Sequence, residues 1–190
     1  MTAASDIAAA RALDGYLVLA AQLGDRAAFQ RLAVRWNPRL SAHARRLLRD
    51  PETARDAVQA AWVEIVRGLG SLRDPAAFPA WAYRIVTRRC AAVIGGRRRD
   101  RATVADLSRE ILSTPPSAPP QEAADGEARL RSAVRDLPPD QRAAIALHHF
   151  EGLSVAETAV ALDVPAGTVK TRLMHARRKL KAALEGDYHD

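Results

Sequence analysis

The sequence predicts an all-α protein of two small helical domains joined by a flexible proline-rich linker, the second domain containing a helix-turn-helix. Three observations support this prediction. The 190-residue chain is rich in Ala and Leu and only 5% aromatic, a balance that favours helices over strands. Apolar residues recur at helical spacing on both sides of residues 115–120. Four prolines stand in those six positions, and proline excludes a continuous helix or a central strand.

The chain divides into two domains and a linker, and these three parts differ in charge. We expect a first helical domain over residues 1–100, an acidic proline-rich linker over 101–127 and a second helical domain over 128–190. The first domain carries 17 Lys or Arg residues against 9 Asp or Glu, whereas residues 101–130 hold 3 basic and 5 acidic residues. The excess of positive charge therefore belongs mainly to the first domain.

The first domain opens with a predicted helix that begins after Asp25 and runs to about Arg49. A carboxylate at the N-cap can accept hydrogen bonds from the first unpaired backbone N–H groups. Apolar residues follow at steps of three and four, as one buried face of a helix requires. Because Pro38 lies inside this span, we expect a kink or a break near Asn37.

Two further helices of this domain are predicted by Asp-Pro pairs, since proline suits the first helical position. Asp50-Pro51 opens a helix that Gly68 ends. Asp74-Pro75 opens the next helix, which we expect to stop at Gly95-Gly96 because two glycines weaken a helix interior.

The second domain begins with two predicted helices. One covers residues 127–136 and is broken by the Leu-Pro-Pro-Asp run at 137–140. The next continues to about Phe150, and Gly152 is the expected stop.

A helix-turn-helix is predicted at the end of the second domain. Ser154 and Glu157 form the S-x-x-E capping box of a short helix that ends at Leu162. Asp163-Val164 make the turn, and Pro165 suits the first turn of the last helix.

The last helix, which we expect to run to about residue 184, combines a buried stripe with basic faces. Its apolar residues fall at steps of three and four: Val169, Leu173, Ala176, Leu180 and Leu184. Its other faces carry the candidate DNA-binding residues Thr168, Lys170, Thr171, Arg172, His175, Arg177, Arg178 and Lys179. No acid stands between residues 164 and 184, although basic residues on helices usually alternate with Glu. Such a helix can enter the DNA major groove; a solvated basic helix packed on its neighbours is the alternative.

The composition excludes several classes of protein. A formal charge of +7 and a pI of about 10.4 favour a polyanionic partner such as nucleic acid. Cys90 is the single cysteine, so no internal disulfide and no cysteine-based zinc site can form within one chain. No apolar run is long enough for membrane insertion and the N-terminus lacks signal-peptide features, so a cytoplasmic protein is expected.

An enzyme is not expected. The five histidines show no metal-type spacing with carboxylates, and no glycine-rich phosphate loop occurs. We therefore predict no catalytic residue, no metal ion and no cofactor.

Three motifs in residues 137–184 stand in one register. They are LP-x-x-QR, G-L-S before the helix-turn-helix, and V-P-x-G-T-V-K-T-R-L-x-x-A-R-x-x-L. Together they resemble region 4 of bacterial RNA polymerase sigma factors, most closely those of the extracytoplasmic-function (ECF) group.

The first domain supports this resemblance independently. GDRAAFQRLAVRWNPRL, ARDAVQAAWVEIVRGL with its D-x-x-Q pattern at Asp56 and Gln59, and FPAWAYRIVTRRC with its W-x-x-x-I pattern all occur in order. These segments resemble region 2 of the same group, so the resemblance spans about residues 20–184.

The resemblance implies a sigma factor that binds core RNA polymerase and directs promoter-specific transcription initiation, with promoter DNA and an anti-sigma factor as further partners. Asp56 and Gln59 would dock core polymerase. The last helix would read the −35 element, and the protein would be nucleoid-associated when in the holoenzyme. The −10 element would face the arginines of the first domain's third predicted helix and of the basic run that follows it: Arg84, Arg88, Arg89, Arg97, Arg98 and Arg99.

An alternative is a sigma-like decoy or adaptor that binds an anti-sigma factor without directing transcription. It is motivated by Arg88 and Ala92, which stand where the family usually shows Asn and Asp. The intact basic last helix argues against it, since a decoy needs no DNA-binding surface.

Overall fold

The structure is a computed structural model, and it describes residues 3–48, 50–107 and 126–185. Within these ranges the regular elements are helical and no strand occurs. The α-helices are α1 (Ala3–Gln22), α2 (Arg26–Leu47), α3 (Pro51–Gly68), α4 (Phe78–Leu107), α5 (Gly126–Asp136), α6 (Pro139–Ile145), α7 (Val155–Leu162) and α8 (Ala166–Glu185). The all-α prediction is confirmed, while most of the proline-rich segment lies outside the described residues.

The predicted starts of α2 and α3 are confirmed by their caps. The Asp25 carboxylate accepts hydrogen bonds from the backbone N–H groups of Ala27 and Ala28 at 2.8 and 3.0 Å. The Asp50 carboxylate accepts one from the Thr53 N–H at 2.9 Å, with proline at the first helical position. Each cap satisfies N–H groups that a helix start leaves unpaired.

Two helix interruptions predicted from the sequence are absent. The break that was one of the two alternatives near Asn37 does not occur, because α2 runs continuously through Pro38. Trp36 and Leu40 on either side are buried in the core and anchor both halves. α4 continues through Gly95-Gly96 to Leu107. Two glycines cost about 2 kcal/mol relative to alanines, and this cost does not end a helix whose preceding turn packs against the core.

The N-terminal helix α1 was not anticipated from the sequence. Leu17 and Val18 are buried against α2. Arg35 of α2 donates a 2.6 Å hydrogen bond to the carboxylate of Asp14, a side chain that is almost fully buried. This pair fixes α1 on the first domain.

The last residue of α3, Gly68, has to be a glycine for a steric reason. Its φ of −95° is accessible to any residue, so no left-handed conformation demands glycine here. A Cβ at this position would instead lie 2.9 Å from Cζ2 of Trp81, well inside van der Waals contact. The missing side chain lets the Trp81 ring pack over the end of α3.

The helix-turn-helix forms as predicted. Both hydrogen bonds of the capping box between Ser154 and Glu157 are present. Asp163 takes a left-handed conformation with φ 56° at the turn. Gly152 has φ 70° and follows the π-helical turn Ala146–Phe150 that continues α6. A left-handed residue ends a helix while satisfying its last carbonyl groups.

The two domains pack directly against each other. Ala143, Ala146 and Leu147 of the second domain belong to the same buried cluster as the first-domain core. α7 lies against α4, and Ala161 and Leu162 contribute to that packing. A second, smaller cluster around Val169 and Leu173 attaches α8 to α6, so α6 is covered on two sides.

His43 is buried in the first-domain core and held neutral. Its Nε2 lies 2.9 Å from the Thr87 hydroxyl. Burial, followed by the nearby charge of Arg46, lowers its pKa from 6.5 to about 3. A charged imidazole would lose its hydration in this site.

We expect stability to fall as the pH drops below about 6.5, because the unfolded chain then binds a proton that folded His43 excludes. The loss is at most about 1.4 kcal/mol per pH unit, hence at most about 2 kcal/mol between pH 6.5 and 5. Denaturant unfolding at pH 5, 6 and 7 measures it. His43→Gln should show a shallower pH slope than the natural chain, and equal slopes would refute the assignment.

Thr158 occupies a buried position in α7, and its hydroxyl has no hydrogen-bond partner within the described part of the chain. We expect Thr158→Val to raise the free energy of unfolding by about 1 kcal/mol, since an unsatisfied buried hydroxyl is replaced by a methyl group of similar size. Thr171→Val, at an exposed position, is the control and should change stability little. A destabilised Thr158→Val variant would contradict this interpretation.

Candidate nucleic-acid interface

The predicted DNA-binding residues of α8 are all accessible. Lys170, Thr171, Arg177, Arg178 and Lys179 are exposed, and Thr168, Arg172 and His175 are half-buried. Their helix is anchored from behind, because Val169, Leu173 and Ala176 are buried. Packing therefore fixes which face of α8 is offered to a partner.

Local contacts orient several of these side chains. Arg172 lies 3.4 Å from the carboxylate of Asp140 on α6. The Thr171 hydroxyl donates to the Gly167 carbonyl at 3.1 Å. Arg177 donates to the His149 ring at 3.3 Å, and burial, then the charges of His148 and Arg177, lower the pKa of His149. The neutral ring can therefore accept this hydrogen bond.

The predicted polymerase-docking residues lie on α3. Asp56 and Gln59 are both exposed, one helical turn apart. Gln59 lines a surface groove of about 280 Å³ between α2 and α3. Trp62 also lines this groove, and its indole N–H donates a 3.0 Å hydrogen bond to the Asn37 side chain. Asp56 is not among the residues that line the groove.

The predicted −10 arginines of α4 are engaged within the protein. Arg88 and Arg89 both bind the carboxylate of Glu64 on α3. Arg84 lies 2.8 Å from Asp163 in the turn of the helix-turn-helix. The side chains of residues 97–99 lie outside the described part of the structure. Arg84, Arg88 and Arg89, the described members of the set, are therefore each paired with a carboxylate in this conformation.

The acidic partners of these arginines were missed by sequence reasoning. Glu64, Asp140 and Asp163 each face a predicted DNA-binding arginine across a helix boundary. No spacing rule connects residues on different helices, so only the packing shows these pairs.

Comparison with known proteins places this arrangement in a family. Residues 32–107 match the sigma-70 region 2 family and residues 127–180 match the sigma-70 region 4 family. The ECF RNA polymerase sigma factor SigM of Mycobacterium tuberculosis is 35% identical over 171 residues, which cover 90% of this chain and 84% of SigM. The chain belongs to the ECF sigma factors. This sigma factor binds core RNA polymerase and directs it to promoters.

Two solved structures resemble the sigma factor over both domains. CnrH, solved in complex with the cytosolic domain of CnrY, is 26% identical with a TM-score of 0.67, covering 92% of this chain and 99% of CnrH. The sigma factor RpoE, solved with the anti-sigma factor NepR from Bartonella quintana, is 25% identical with a TM-score of 0.67, covering 84% of this chain and 98% of RpoE.

The described residues add two observations about other site types. Within them, no group of three His, Cys, Asp or Glu side chains is arranged to hold a metal ion. None of the helices in these ranges is both long and apolar enough to cross a membrane.

Proposed function

We propose that the sigma factor divides promoter recognition between α8, which reads the −35 element, and α4, which faces the −10 element, while α3 docks core polymerase. The corresponding domains are those expected over 1–100 and 128–190. The observation that carries this proposal is the acid-free basic face of α8, held outward by Val169 and Leu173. A helix so presented after a tight turn fits the major groove.

The residues of α8 fall into two groups along the helix. Thr168, Lys170, Thr171, Arg172 and His175 lie toward its start, where a recognition helix meets base edges. Arg177, Arg178 and Lys179 lie further along, where positive charge meets phosphates. Asp140 holds the Arg172 guanidinium at 3.4 Å, which restricts this long side chain before DNA arrives.

Glu64 performs a similar role on the −10 side. One carboxylate that binds both Arg88 and Arg89 aligns two guanidinium groups and neutralises part of their charge. Arg88 stands where related factors usually carry Asn, so this pairing supports a −10 contact made through oriented arginines. A strand of DNA phosphates would compete with Glu64 for them.

The polymerase-docking site fits a helix of a partner protein. Gln59 and Trp62 line the α2–α3 groove, and Asp56 is exposed on the same helix outside that lining. Polar groups one turn apart can hydrogen-bond a partner helix laid along α3.

A regulator of the anti-sigma type is a further proposed partner. The RpoE structure contains such a factor, and CnrH was solved with the cytosolic domain of CnrY. On this proposal the sigma factor acts in the cytoplasm with RNA polymerase, is nucleoid-associated when in the holoenzyme, and catalyses no reaction itself.

Replacing Lys170 or Arg172 with Ala should weaken −35 recognition. Loss of a base contact is worth about 1–3 kcal/mol, so holoenzyme affinity for promoter DNA should fall about 5- to 150-fold. The effect should largely disappear on DNA whose −35 sequence is scrambled. Arg31→Ala, which removes the same charge from an exposed position on α2, is the control.

Equal losses on natural and scrambled −35 DNA would exclude base reading by that residue. Sequencing run-off transcripts made from genomic DNA by core polymerase and this sigma factor gives the wider test. Transcripts whose starts share a −35/−10 pair support promoter selection. An absence of core binding, with tight binding to an anti-sigma domain, would favour the decoy.

Asp56→Ala and Gln59→Ala should reduce affinity for core polymerase without affecting folding, because both side chains are exposed. We expect each to lower the affinity about 5- to 10-fold, as for hydrogen bonds of about 1 kcal/mol. Competition against labelled natural sigma factor measures this. Gln30→Ala, at an exposed position of α2 outside the groove, is the control. If Asp56→Ala and Gln59→Ala both compete as well as the natural chain, α3 is not part of the docking site.

A further inference from the structure

The outward side of α1 is apolar although it is accessible to solvent. Its four large side chains are between 46 and 89% exposed. With three alanines they form a contiguous surface, because residues three or four apart are neighbours on a helix. We call this surface the α1 face: Ala9, Ala12, Leu13, Tyr16, Leu19, Ala20 and Leu23. Single exposed apolar residues are ordinary, whereas a contiguous apolar patch marks an interaction site.

No charged residue belongs to the α1 face. Residues 8–23 include two charged residues, Arg11 and Asp14. Asp14 is buried on the side that packs against α2, where it accepts a hydrogen bond from Arg35, and Arg11 pairs with Glu157 at 3.0 Å. Nucleic acid selects Lys and Arg for its phosphates, so a charge-free surface fits an apolar partner instead.

The rest of the first domain holds α1 in place. The Gln22 side-chain amide donates hydrogen bonds to the carbonyl groups of Leu69 and Leu72 at 2.9 and 2.8 Å. The Leu23 N–H donates to the Leu19 carbonyl at 3.1 Å, so the helical register continues to the end of the α1 face. A partner therefore meets a preformed surface and does not have to order it.

The α1 face follows a seven-residue repeat. Ala9, Tyr16 and Leu23 are seven residues apart, and its other members come three or four residues after Ala9 or Tyr16. This spacing is the one with which a helix packs along a second helix. The expected occupant is therefore an α-helix.

The α1 face is complementary to itself. A twofold interface requires the same patch on both copies. An antiparallel pair centred on Tyr16 opposes these residues of the two copies: Ala9 and Leu23, Ala12 and Ala20, Leu13 and Leu19, and Tyr16 with itself. A parallel pair would put alanine against alanine at one end and leucine against leucine at the other. Helices pack evenly when large residues oppose small ones, so the antiparallel pair fits better.

We propose that the α1 face is a self-association surface, through which two copies of the sigma factor pair antiparallel about a twofold axis at Tyr16. A helical strip of this length measures about 22 by 10 Å, well below the roughly 800 Å² that each partner of a stable interface buries. The dimer is therefore reversible, with a dissociation constant of about 10 to 100 μM. No residue assigned to DNA or polymerase belongs to α1, so the pairing does not depend on that assignment.

Sedimentation equilibrium of the full chain over a series of concentrations measures the pairing. Leu19→Glu buries a charge against Leu13 of the second copy and should weaken dimerisation about tenfold or more. Val160→Glu is the control, because Val160 on α7 has the same exposed fraction of 51% and lies outside the α1 face. Circular dichroism shows whether each variant retains its helices. Equal weakening by both substitutions would overturn the proposal.

A pair of opposite charges tests the direction of the two helices. Leu13→Lys and Leu19→Glu should each weaken dimerisation alone. Combined in one chain, the new charges face each other across the antiparallel pair, and dimerisation should recover toward the natural value. A parallel pair would oppose like charges, so a double variant that dimerises less than either single variant would overturn the antiparallel arrangement.

Salt gives an independent readout. Each copy has a formal charge of +7, so two copies repel each other. Because the contact itself is charge-free, added salt should strengthen dimerisation by screening this repulsion, the reverse of its effect on DNA binding. Dimerisation that weakens as salt is added would contradict an apolar contact.

The same variants identify any other occupant. A natural chain that stays monomeric at concentrations about tenfold above the expected dissociation constant overturns self-association. If Leu19→Glu, but not Val160→Glu, then lowers promoter-specific transcription by the holoenzyme, the α1 face binds polymerase instead. Under the proposal, Leu19→Glu and the natural chain transcribe equally when the sigma factor is too dilute to dimerise.

Discussion

The position of Tyr83 is the constraint on which both domains depend. Its ring packs edge-to-face with Trp36 and against His43 at centroid distances of 5.7 and 5.2 Å, so it closes the core between α2 and α4. Its hydroxyl passes out of that core to Glu151 of the second domain. Tyrosine suits both tasks because it pairs a large apolar ring with a polar end that needs a partner. Core packing of the first domain therefore sets where the second domain can attach.

Local rules predicted the helix starts and the helix-turn-helix well. Asp25, Asp50 and Ser154 are caps whose partners lie two or three residues away, so the sequence contains the whole interaction. Helix interruptions were predicted less well. Pro38 and Gly95-Gly96 lower local helix stability by amounts that long-range burial exceeds, and burial depends on residues far along the chain.

The candidate DNA surface was predictable only in part. The basic face of α8 follows from its own spacing, because the buried stripe leaves the remaining faces outside. The partners of the arginines do not follow, since Asp140 approaches Arg172 of α8 from α6. Glu64 likewise approaches Arg88 and Arg89 of α4 from α3. These carboxylates make each guanidinium less mobile and less positive before DNA is bound, and phosphate must displace or share them. On the proposed assignment, DNA recognition is thus an exchange of anionic partners at these cationic positions.

The unbroken course of α4 has a consequence for how the domains meet. By carrying the helix to Leu107, the chain leaves 18 residues before α5 rather than the longer linker suggested by its composition. A shorter tether keeps its two ends at a higher mutual concentration, in the millimolar range for short connections. Contacts too weak to assemble two separate proteins are then sufficient within one molecule. The continuation of α4 through its glycine pair thereby favours the packing of the second domain on the first.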